Sequence, residues 1–403
     1  MRFMHASSHR GRETPPHRDD PGGTAGPRLR HKRWAVVVVL AGAPLMVGSL
    51  ASASTGWSVE TVPQTGNNTI LTGASALSST DAWAVGEQFA AAGQAPPPPV
   101  SYNWNGSAWS LVATPALGVP SSLLSVSASS ASDAWAVGMS VLGRHDDGTL
   151  MEHWNGTAWS VNSSLVVTGY TAELTGVVDL SPTNAWAVGQ ANSSLLEHWN
   201  GTTWSEVTIP DPDFTPGTDD SISASSASDI WVVGSTLNTA TDEFVPEALH
   251  YNGRAWSAVA MPQAGTNSST IGAVTDISPT DAWAVGEDIG ATSAVGGSTL
   301  IEHWNGSSWS IVPSPTPGAD PGLTGVAARG PSDVYAVGSN LPSVNGGTVQ
   351  GMILRWNGST WSVDTDPTAG SYSPLFAAAT VPGAANEWAV GTLSNASLIL
   401  SHG

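Results

Sequence analysis

The sequence predicts an all-β fold, a seven-bladed β-propeller with four-stranded blades. Two phrases recur along the chain: DAWAVG, as at residues 281–286, and EHWNG followed by a Trp-Ser pair, as at residues 302–310. With their connecting loops they form a repeat of roughly fifty residues, the length of one propeller blade. The aromatic residue of the first phrase occurs seven times, 45 to 53 residues apart, at Trp83, Trp135, Trp186, Trp231, Trp283, Tyr335 and Trp388.

Asn-Gly dipeptides predict the hairpin at the end of each repeat. A two-residue type I′ turn requires positive φ at both central positions, which Asn tolerates and Gly adopts freely. We therefore expect a type I′ turn at each of them. The dipeptide follows an aromatic residue and precedes a Trp at Asn105, Asn155, Asn200, Asn252, Asn305 and Asn357.

Each repeat is expected to contain an inner strand such as residues 323–328, the DAWAVG strand, the EHWNG strand and an outer strand beginning at the Trp-Ser pair. The residues before the Asn-Gly, such as 299–304, show no helical period and carry large side chains on both faces. Both faces must then be covered, and radially packed blades cover them.

The last repeat, residues 374–403, stops where its Asn-Gly turn should stand. Its missing outer strand is found at the other end of the chain, because residues 56–63 match residues 308–313. We therefore expect the N-terminal strand to complete the C-terminal blade and close the ring. Closure removes the free sheet edges that promote aggregation.

Residues 56–403, with these two phrases, resemble bacterial secreted seven-bladed β-propellers that have Kelch-like or galactose-oxidase-like repeats. The resemblance implies the propeller fold in an exported protein. It implies no single activity, since propellers host lectins, sialidases, lyases, oxidases, scaffolds and adhesins.

Residues 1–53 are interpreted as a secretory signal. Residues 1–33 hold eight of the twelve basic residues, residues 34–50 are uncharged and mostly apolar, and residues 51–53 read Ala-Ser-Ala. This order of basic, apolar and small residues is typical of a cleaved signal, and cleavage after Ala53 would leave a propeller of residues 54–403. The alternative is a membrane anchor at residues 34–50, a run at the short limit for a span.

Composition disfavours several kinds of partner. The chain has no Cys, which excludes disulfides and a lipid-modified cysteine, and a domain of this size buries enough surface to be stable without them. Residues 54–403 carry 29 acidic and four basic residues, a net charge near −25. Nucleic acid and anionic membrane surfaces are therefore disfavoured as partners. We expect a monomer that meets a membrane only through an uncleaved signal.

Two connections in each repeat are short and alike, namely the Asn-Gly turn and the turn before DAWAVG. The other two vary in length and composition, and in a four-stranded blade they emerge together on one face. Function sits on variable loops held by a rigid scaffold. These loops are acidic, and the residues we select as ligand-binding candidates are Asp146, Asp147, Asp219, Asp220, Asp242, Glu243, Glu287 and Asp288.

Two interpretations of these acids remain open. One is a solvating surface that keeps an exported protein soluble. The other is a calcium site, because calcium prefers roughly six to eight oxygen ligands. Its candidate ligands are Asp146, Asp147, Asp219 and Asp220.

Other repeated residues are interpreted as structural. The eighteen repeat tryptophans are expected to pack between blades. The Asp that begins DAWAVG is expected to accept hydrogen bonds from backbone N–H groups of its turn. The repeated His and Glu residues lie in different blades, too far apart to share an ion, and are expected to pack: His153, His198, His250 and His303, with Glu152, Glu197 and Glu302.

No catalytic motif accompanies the fold. Without Cys the chain cannot form the Tyr-Cys crosslink of galactose oxidase, and its four basic residues after position 53 occupy dissimilar repeat positions, unlike a sialidase arginine triad. No GxSxG, HExxH or P-loop occurs. We therefore predict an exported, non-enzymatic propeller that binds a carbohydrate or protein. The alternative is a polysaccharide hydrolase or lyase.

Overall fold

The computed structural model describes residues 56–66, 68–142, 146–162, 166–168, 172–191, 194–210, 220–238, 240–265, 267–289, 297–343, 347–381, 383 and 386–403. The predicted signal at residues 1–53 and the alternative anchor at residues 34–50 lie outside the described residues. In the described part, every regular element is a strand. That part contains no helix long and apolar enough to cross a membrane.

The strands form a four-strand unit that repeats, and we name each unit by the aromatic residue of its second strand. A short strand, β1 (Ser58–Val59), precedes the first complete unit. The Trp83 unit contains β2 (Asn68–Ser78), β3 (Asp81–Phe89), β4 (Val100–Trp104) and β5 (Trp109–Val112). The Trp135 unit contains β6 (Ser121–Ser130), β7 (Asp133–Val141), β8 (Asp146–Trp154) and β9 (Trp159–Val161), and β8 also pairs with β10 (Val166–Thr168).

Four further units each form a separate four-stranded sheet. The Trp186 unit contains β11 (Ala172–Ser181), β12 (Asn184–Ala191), β13 (Ser194–Trp199) and β14 (Trp204–Glu206). The Trp231 unit contains β15 (Ser221–Ser226), β16 (Asp229–Asn238), β17 (Glu243–Tyr251) and β18 (Trp256–Ala260). The Trp283 unit contains β19 (Ser269–Ser278), β20 (Asp281–Asp288), β21 (Ser298–Trp304) and β22 (Trp309–Ile311). The Tyr335 unit contains β23 (Ala319–Gly330), β24 (Asp333–Leu341), β25 (Gln350–Trp356) and β26 (Trp361–Val363).

The Trp388 unit contains β27 (Leu375–Thr380), β28 (Glu387–Leu393) and β29 (Ala396–His402), and its sheet includes β1, which pairs antiparallel with β29. The Trp83 and Trp135 units are joined in one nine-stranded sheet through a single residue pair, Glu87 with Ser122. The protein is thus an all-β propeller with four-stranded blades, which confirms the predicted fold class at this level.

The first strands of successive units lie side by side. β2 contacts β6, β6 contacts β11, β11 contacts β15, β15 contacts β19, β19 contacts β23, β23 contacts β27, and β27 contacts β2. Hydroxyl side chains tie neighbouring strands together: Thr72 Oγ1 donates to the Leu123 carbonyl at 2.7 Å, and Thr175 Oγ1 donates to the Asp220 carbonyl at 2.8 Å. These bonds satisfy backbone groups that strand pairing within one unit leaves open.

The hydrophobic core lies between neighbouring units, as the Trp283 unit illustrates. Strand alternation places Trp283 and Val285 on one face of β20 and Ala282 and Ala284 on the other. The first pair packs into the Tyr335 unit, while the two alanines face Trp231 of the preceding unit. Large side chains on one face and small ones on the other explain the DAWAV phrase.

The Gly that ends DAWAVG faces a bulge in the neighbouring strand. Between β19 and β20 the register shifts between Ile271 and Ala273. A Cβ added to Gly286 would lie 1.9 Å from the carbonyl oxygen of Thr270, a separation that no side chain permits. The same close approach, at 2.0 to 2.1 Å, occurs at Gly86, Gly138, Gly189, Gly338 and Gly391.

Candidate functional site

Two kinds of short connection meet at one end of each unit and define the constant face: the Asn-Gly loop and the turn before the DAWAVG strand. They touch directly, since a Cβ on Gly306 would lie 2.9 Å from Thr280 Cγ2. The remaining connections lie at the opposite ends of the antiparallel strands and define the variable face. They join the second strand to the third, and each unit to the next.

The Asn-Gly loop is not the predicted type I′ turn. Trp304 pairs directly with Trp309, so the loop has four residues. Gly306 has a φ of 90°, whereas Asn305 has no positive φ. Instead, Asn305 Oδ1 accepts the backbone N–H groups of Ser307 at 3.0 Å and Ser308 at 3.1 Å. The type I′ prediction is therefore wrong: Asn serves as a hydrogen-bond acceptor, and only Gly needs the left-handed conformation.

The repeated His residues contact the DAWAVG phrase in two ways: each binds the side chain of its first residue and packs against its Trp. His303 Nε2 lies 2.9 Å from Asp281 Oδ1, and its ring centroid lies 4.3 Å from that of Trp283. His153 binds Asp133 at 2.7 Å in the same way. The packing role predicted for His is confirmed. The Asp, however, accepts from a side chain of the third strand, and not from the backbone of its own turn as predicted.

Two acids of the first strands, Asp179 and Asp276, lie beside the Asp–His pair of the preceding unit; Asp179 is buried and Asp276 is half-buried. The Ser129 backbone N–H donates to Asp179 Oδ2 at 3.1 Å, while Ser129 Oγ donates to Asp133 Oδ2 at 2.7 Å. Burial, together with the charge of Asp133, raises the pKa of Asp179 to about 7. Burial, together with the charge of Asp229, raises the pKa of Asp276 to about 8. Proton retention on these acids relieves the repulsion between two neighbouring carboxyls.

Arg329 joins the Tyr335 and Trp388 units, and Arg355 forms an ion pair within the Tyr335 unit. Arg329 Nη1 lies 3.2 Å from Glu387 Oε1 and 3.1 Å from Asp333 Oδ2, and Arg355 Nη2 lies 3.0 Å from Asp333 Oδ1. Burial raises the pKa of Glu387 to about 8, although the charge of Arg329 acts in the opposite direction. Both arginines thus have structural partners at the constant face.

Glu152 and Glu302 are the most deeply buried acids of the repeat. Both are 0% exposed, and within the described chain neither of their carboxyl groups has a hydrogen-bond partner. Burial raises the pKa of each to about 8. A neutral carboxylic acid costs far less to bury than a carboxylate, so these residues behave as packing groups, as predicted.

On the variable face, the structure places two of the predicted ligand-binding residues, Glu243 and Asp288, against adjacent serines, with Asp242 next to Glu243. Ser268 Oγ donates to Glu243 Oε2 at 2.5 Å, and the next residue, Ser269, donates to Asp288 Oδ1 at 3.3 Å. Asp242 precedes Glu243 and is exposed, with a φ of 59°. Glu287 precedes Asp288 in the second strand of the Trp283 unit, but its side chain points to the other face, where Oε2 would lie 3.3 Å from a Cβ added to Gly322. Burial raises the pKa of Asp288.

The other predicted residues do not join this region. Asp147 pairs with Val167 of β10 in the Trp135 unit. Asp220 is only 2% exposed. Asp219 and the side chain of Asp146 lie outside the described residues. In the part of the chain that is described, no group of three or more His, Asp or Glu side chains could hold a metal ion, and the calcium site stays a prediction.

No residue of the constant face is among the predicted ligand-binding residues, yet a groove opens there between the Trp186 and Trp231 units. The sequence signal for it is a double departure from the repeat. Tyr251 replaces the Trp before the Asn-Gly, and Asn184 replaces the Asp of DAWAVG. Both residues line the groove.

Comparisons with solved structures support the propeller fold. The chain is similar to a GH74 xyloglucanase from Xanthomonas campestris, with a TM-score of 0.57 and 15% identity over 86% of this chain and 53% of that chain. It is similar to YCF48 bound to D1 peptide, with a TM-score of 0.54 and 14% identity over 87% of this chain and 98% of that chain. It is also similar to the RRP9 WD40 repeats, with a TM-score of 0.54 and 12% identity over 87% of this chain and 98% of that chain. At these identities the likeness shows the fold alone. No family model and no curated protein matches the chain.

Proposed function

We propose that this chain is an exported, non-enzymatic propeller of the bacterial Kelch-like type, which binds a carbohydrate or a protein through its variable face. The observation that carries the proposal is the contrast between its two faces. On the constant face each unit repeats the same bonds: Trp304 Nε1 donates to the Pro279 carbonyl at 3.1 Å, and Trp356 Nε1 donates to the Pro331 carbonyl at 3.2 Å. Contacts that stabilise the fold can be the same in every unit. Loops that differ from unit to unit can instead provide the contacts with a ligand.

We propose further that the seven units are seven blades of a closed ring, so that the nine-stranded sheet counts as two blades. The aromatic contacts on both sides of the Trp388 unit support closure. The Trp57 ring centroid lies 5.6 Å from that of Tyr335, and the Trp109 centroid lies 6.2 Å from that of Trp388. A closed ring would hold all the variable loops around one rim, where several of them can contact one extended ligand.

The acidic residues of the variable face indicate the chemistry of the ligand. Glu243 and Asp288 are positioned by the neighbouring serines 268 and 269, and Asp242 projects from a left-handed backbone at an exposed position. Positioned carboxylates accept hydrogen bonds from sugar hydroxyls and attract cationic protein surfaces. A hydroxyl-rich polysaccharide and a basic protein both fit this rim.

Export completes the proposal. Residues 1–53 have the basic, apolar and small-residue order of a secretory signal. Cleavage after Ala53 would place the new N-terminus three residues before Trp57. The first strand would then remain available to pair with β29. An uncleaved anchor at residues 34–50 is the other outcome, and it would hold the propeller at the membrane.

The experiment is to express the full chain in a bacterial host with an export pathway, collect the protein and determine its N-terminal residue by mass spectrometry. The purified protein is then incubated with a panel of insoluble polysaccharides, and both its retention and the appearance of new reducing ends are measured. Retention without new reducing ends supports the binding function. New reducing ends would establish the polysaccharide hydrolase or lyase and overturn the non-enzymatic function.

Matched variants assign retention to a face. The test variant changes Asp242→Asn together with Glu243→Gln on the variable face, and the control changes Arg254→Gln, which is exposed on an Asn-Gly loop of the constant face. We expect the test variant to lose retention and the control to keep it. The reverse result would contradict the choice of face. If no polysaccharide is retained, the same variants are compared for capture of basic proteins in a surface-binding assay.

A further inference from the structure

The contacts between units follow one rule, and the junction of the Trp186 and Trp231 units breaks it. At the standard junction, the second-strand Trp touches the Trp that precedes the Asn-Gly in the next unit. The ring centroids are 5.0 Å apart for Trp135 with Trp199 and 4.9 Å apart for Trp231 with Trp304. At the exceptional junction the partner is Tyr251, whose ring centroid lies 5.3 Å from that of Trp186. A smaller ring stands where the repeat has an indole.

The exchange of Trp for Tyr leaves a backbone acceptor uncapped. In the other units of this type the indole N–H donates to the carbonyl of the turn before DAWAVG, as Trp199 does to Pro182 at 3.1 Å. Ala227 occupies that turn position in the Trp231 unit. Among the described contacts, no bond joins Tyr251 to the Ala227 carbonyl, and Ala227 lines the groove.

The polar side of the groove also departs from the repeat, because it carries no charge. His198 Nε2 lies 2.9 Å from Asn184 Oδ1, where other units place an Asp. Burial lowers the pKa of His198, which favours the neutral imidazole. The amide nitrogen of Asn184 remains as a donor, since its oxygen is the atom bonded to His198.

The resulting groove has a volume of about 320 Å³. Small-molecule sites commonly measure about 300 to 1,000 Å³. Its floor includes Trp186, which is 6% exposed. Thr183 and Asn200 stand exposed at its rim. The groove therefore combines aromatic rings, amide donors and a free carbonyl, with no Asp, Glu, Lys or Arg in its lining.

We propose that this groove binds one neutral sugar residue, and that it is a second site, separate from the variable face. A pyranose ring presents an apolar C–H face to an aromatic ring and hydroxyl groups at its edge to amides and carbonyls. An acidic or basic ligand would lose its hydration without gaining an opposite charge in the groove. A purely apolar ligand would bury the Asn184 amide and the Ala227 carbonyl without partners.

The test variant replaces Tyr251 by Trp, the residue that five other units carry at this position. Tyr251→Trp is therefore expected to fold with an unchanged or higher melting temperature. The indole would fill the groove and cap the Ala227 carbonyl. A second variant, Asn184→Asp, restores the carboxylate of the repeat, charges the groove and removes the amide donor. The control is Ser307→Ala, at an exposed position on the Asn-Gly loop of the Trp283 unit.

The full-length protein and the three variants are titrated with the methyl glycosides of glucose, galactose, mannose, fucose and N-acetylglucosamine, and with methyl glucuronoside as the charged comparison. Binding is measured by saturation-transfer NMR and by calorimetry. We expect at least one neutral glycoside to bind with a stoichiometry of one, and Tyr251→Trp and Asn184→Asp to weaken it by about tenfold or more. Ser307→Ala should leave this affinity unchanged, and Asp242→Asn, titrated in parallel, reports binding at the variable face.

Two outcomes would overturn the proposal. One is that no neutral glycoside binds, or that the glucuronoside binds best. The other is that glycoside binding survives in Tyr251→Trp and Asn184→Asp. If that binding is instead lost in Asp242→Asn, the sugar occupies the variable face, and the function proposed for that face stands while the groove site fails.

Discussion

The side-chain oxygens of Ser58 and Ser401 lie 3.2 Å apart, although 343 residues separate them in the sequence. The backbone continues this contact, because Val59 pairs with Leu400 and the Glu60 N–H donates to the Ile399 carbonyl at 2.8 Å. The two ends of the propeller region therefore share one sheet.

The first prediction concerns this shared sheet. Deleting residues 54–62 exposes the edge of β29 and removes Trp57, which is 6% exposed. Truncating a buried Trp alone typically costs about 3 to 5 kcal/mol. We expect loss of cooperative unfolding, or aggregation, measured by calorimetry and light scattering. The control is a chain that begins at residue 54. Equal melting temperatures for the two chains would show that the ends do not stabilise each other.

The second prediction separates two effects of a side chain at Gly306, namely the cost of a positive φ and the contact with Thr280. Gly306→Ala places a side chain at a φ of 90° and a Cβ 2.9 Å from Thr280, whereas Gly265→Ala meets a φ of 80° and no atom within 4 Å. A left-handed residue costs an L-amino acid about 1 to 2 kcal/mol. We expect both variants to lose about that much in urea unfolding, and Gly306→Ala to lose more. If the two losses are equal, the contact with Thr280 contributes nothing.

This loop also shows what sequence patterns can and cannot predict. The recurrence of Asn-Gly identifies a hairpin in each repeat, but the length of its loop depends on which residues pair, and Trp304 pairs with Trp309. A pattern of residue types does not show that pairing. Among the described residues, two consecutive non-glycine residues with positive φ occur at Ser394 and Asn395, at 49° and 74°. No Asn-Gly marks that turn.

The candidate sites show the same limit: features that recur in each unit can be predicted from the sequence, and contacts between irregular loops cannot. Periodicity predicts the units, the buried tryptophans and the packing role of the histidines, because each of these recurs at one strand position. It does not predict that Glu243 and Asp288 meet adjacent serines, since that contact joins two units through loops of irregular sequence. The groove at Tyr251 arises from departures from the repeat, and periodicity does not predict such departures.

The third prediction concerns the pair of Arg329 and Glu387 between the Tyr335 and Trp388 units, measured above pH 8, where the carboxyl of Glu387 is ionised. Arg329 lies 3.2 Å from Glu387, whose side chain is 1% exposed, while 22% of the Arg329 side chain is exposed. Removing one partner of a buried pair costs about 3 to 5 kcal/mol, and partial exposure reduces this. We expect Arg329→Ala to cost about 2 kcal/mol, whereas Arg254→Ala, at an exposed position, changes little. Arg329→Leu with Glu387→Leu should recover most of the loss. A double variant as unstable as Arg329→Ala would show that packing of the arginine stem, and not charge, is what matters.

The last prediction uses the buried acids to set the direction of the pH dependence. Burial raises the pKa of Glu302 from 4.5 to about 8, and that of Glu152 likewise. Between these two values the folded state holds protons that the unfolded state has lost, so the free energy of unfolding falls as the pH rises. The stabilisation is complete below pH 4.5 and is lost as the pH passes through 8.

Glu152→Gln and Glu302→Gln keep the shape of the side chain and remove its titration. We expect the double variant to match the native protein at low pH and to exceed its melting temperature increasingly as the pH approaches 8. The control is Asp242→Asn, at an exposed position, which should leave the slope unchanged. The slope is measured by thermal unfolding across the range at constant ionic strength. The two acids would be ionised in the folded protein if the native protein and the double variant showed the same slope. In that case the two buried carboxylates would require hydrogen-bonding or charged partners from the neighbouring units.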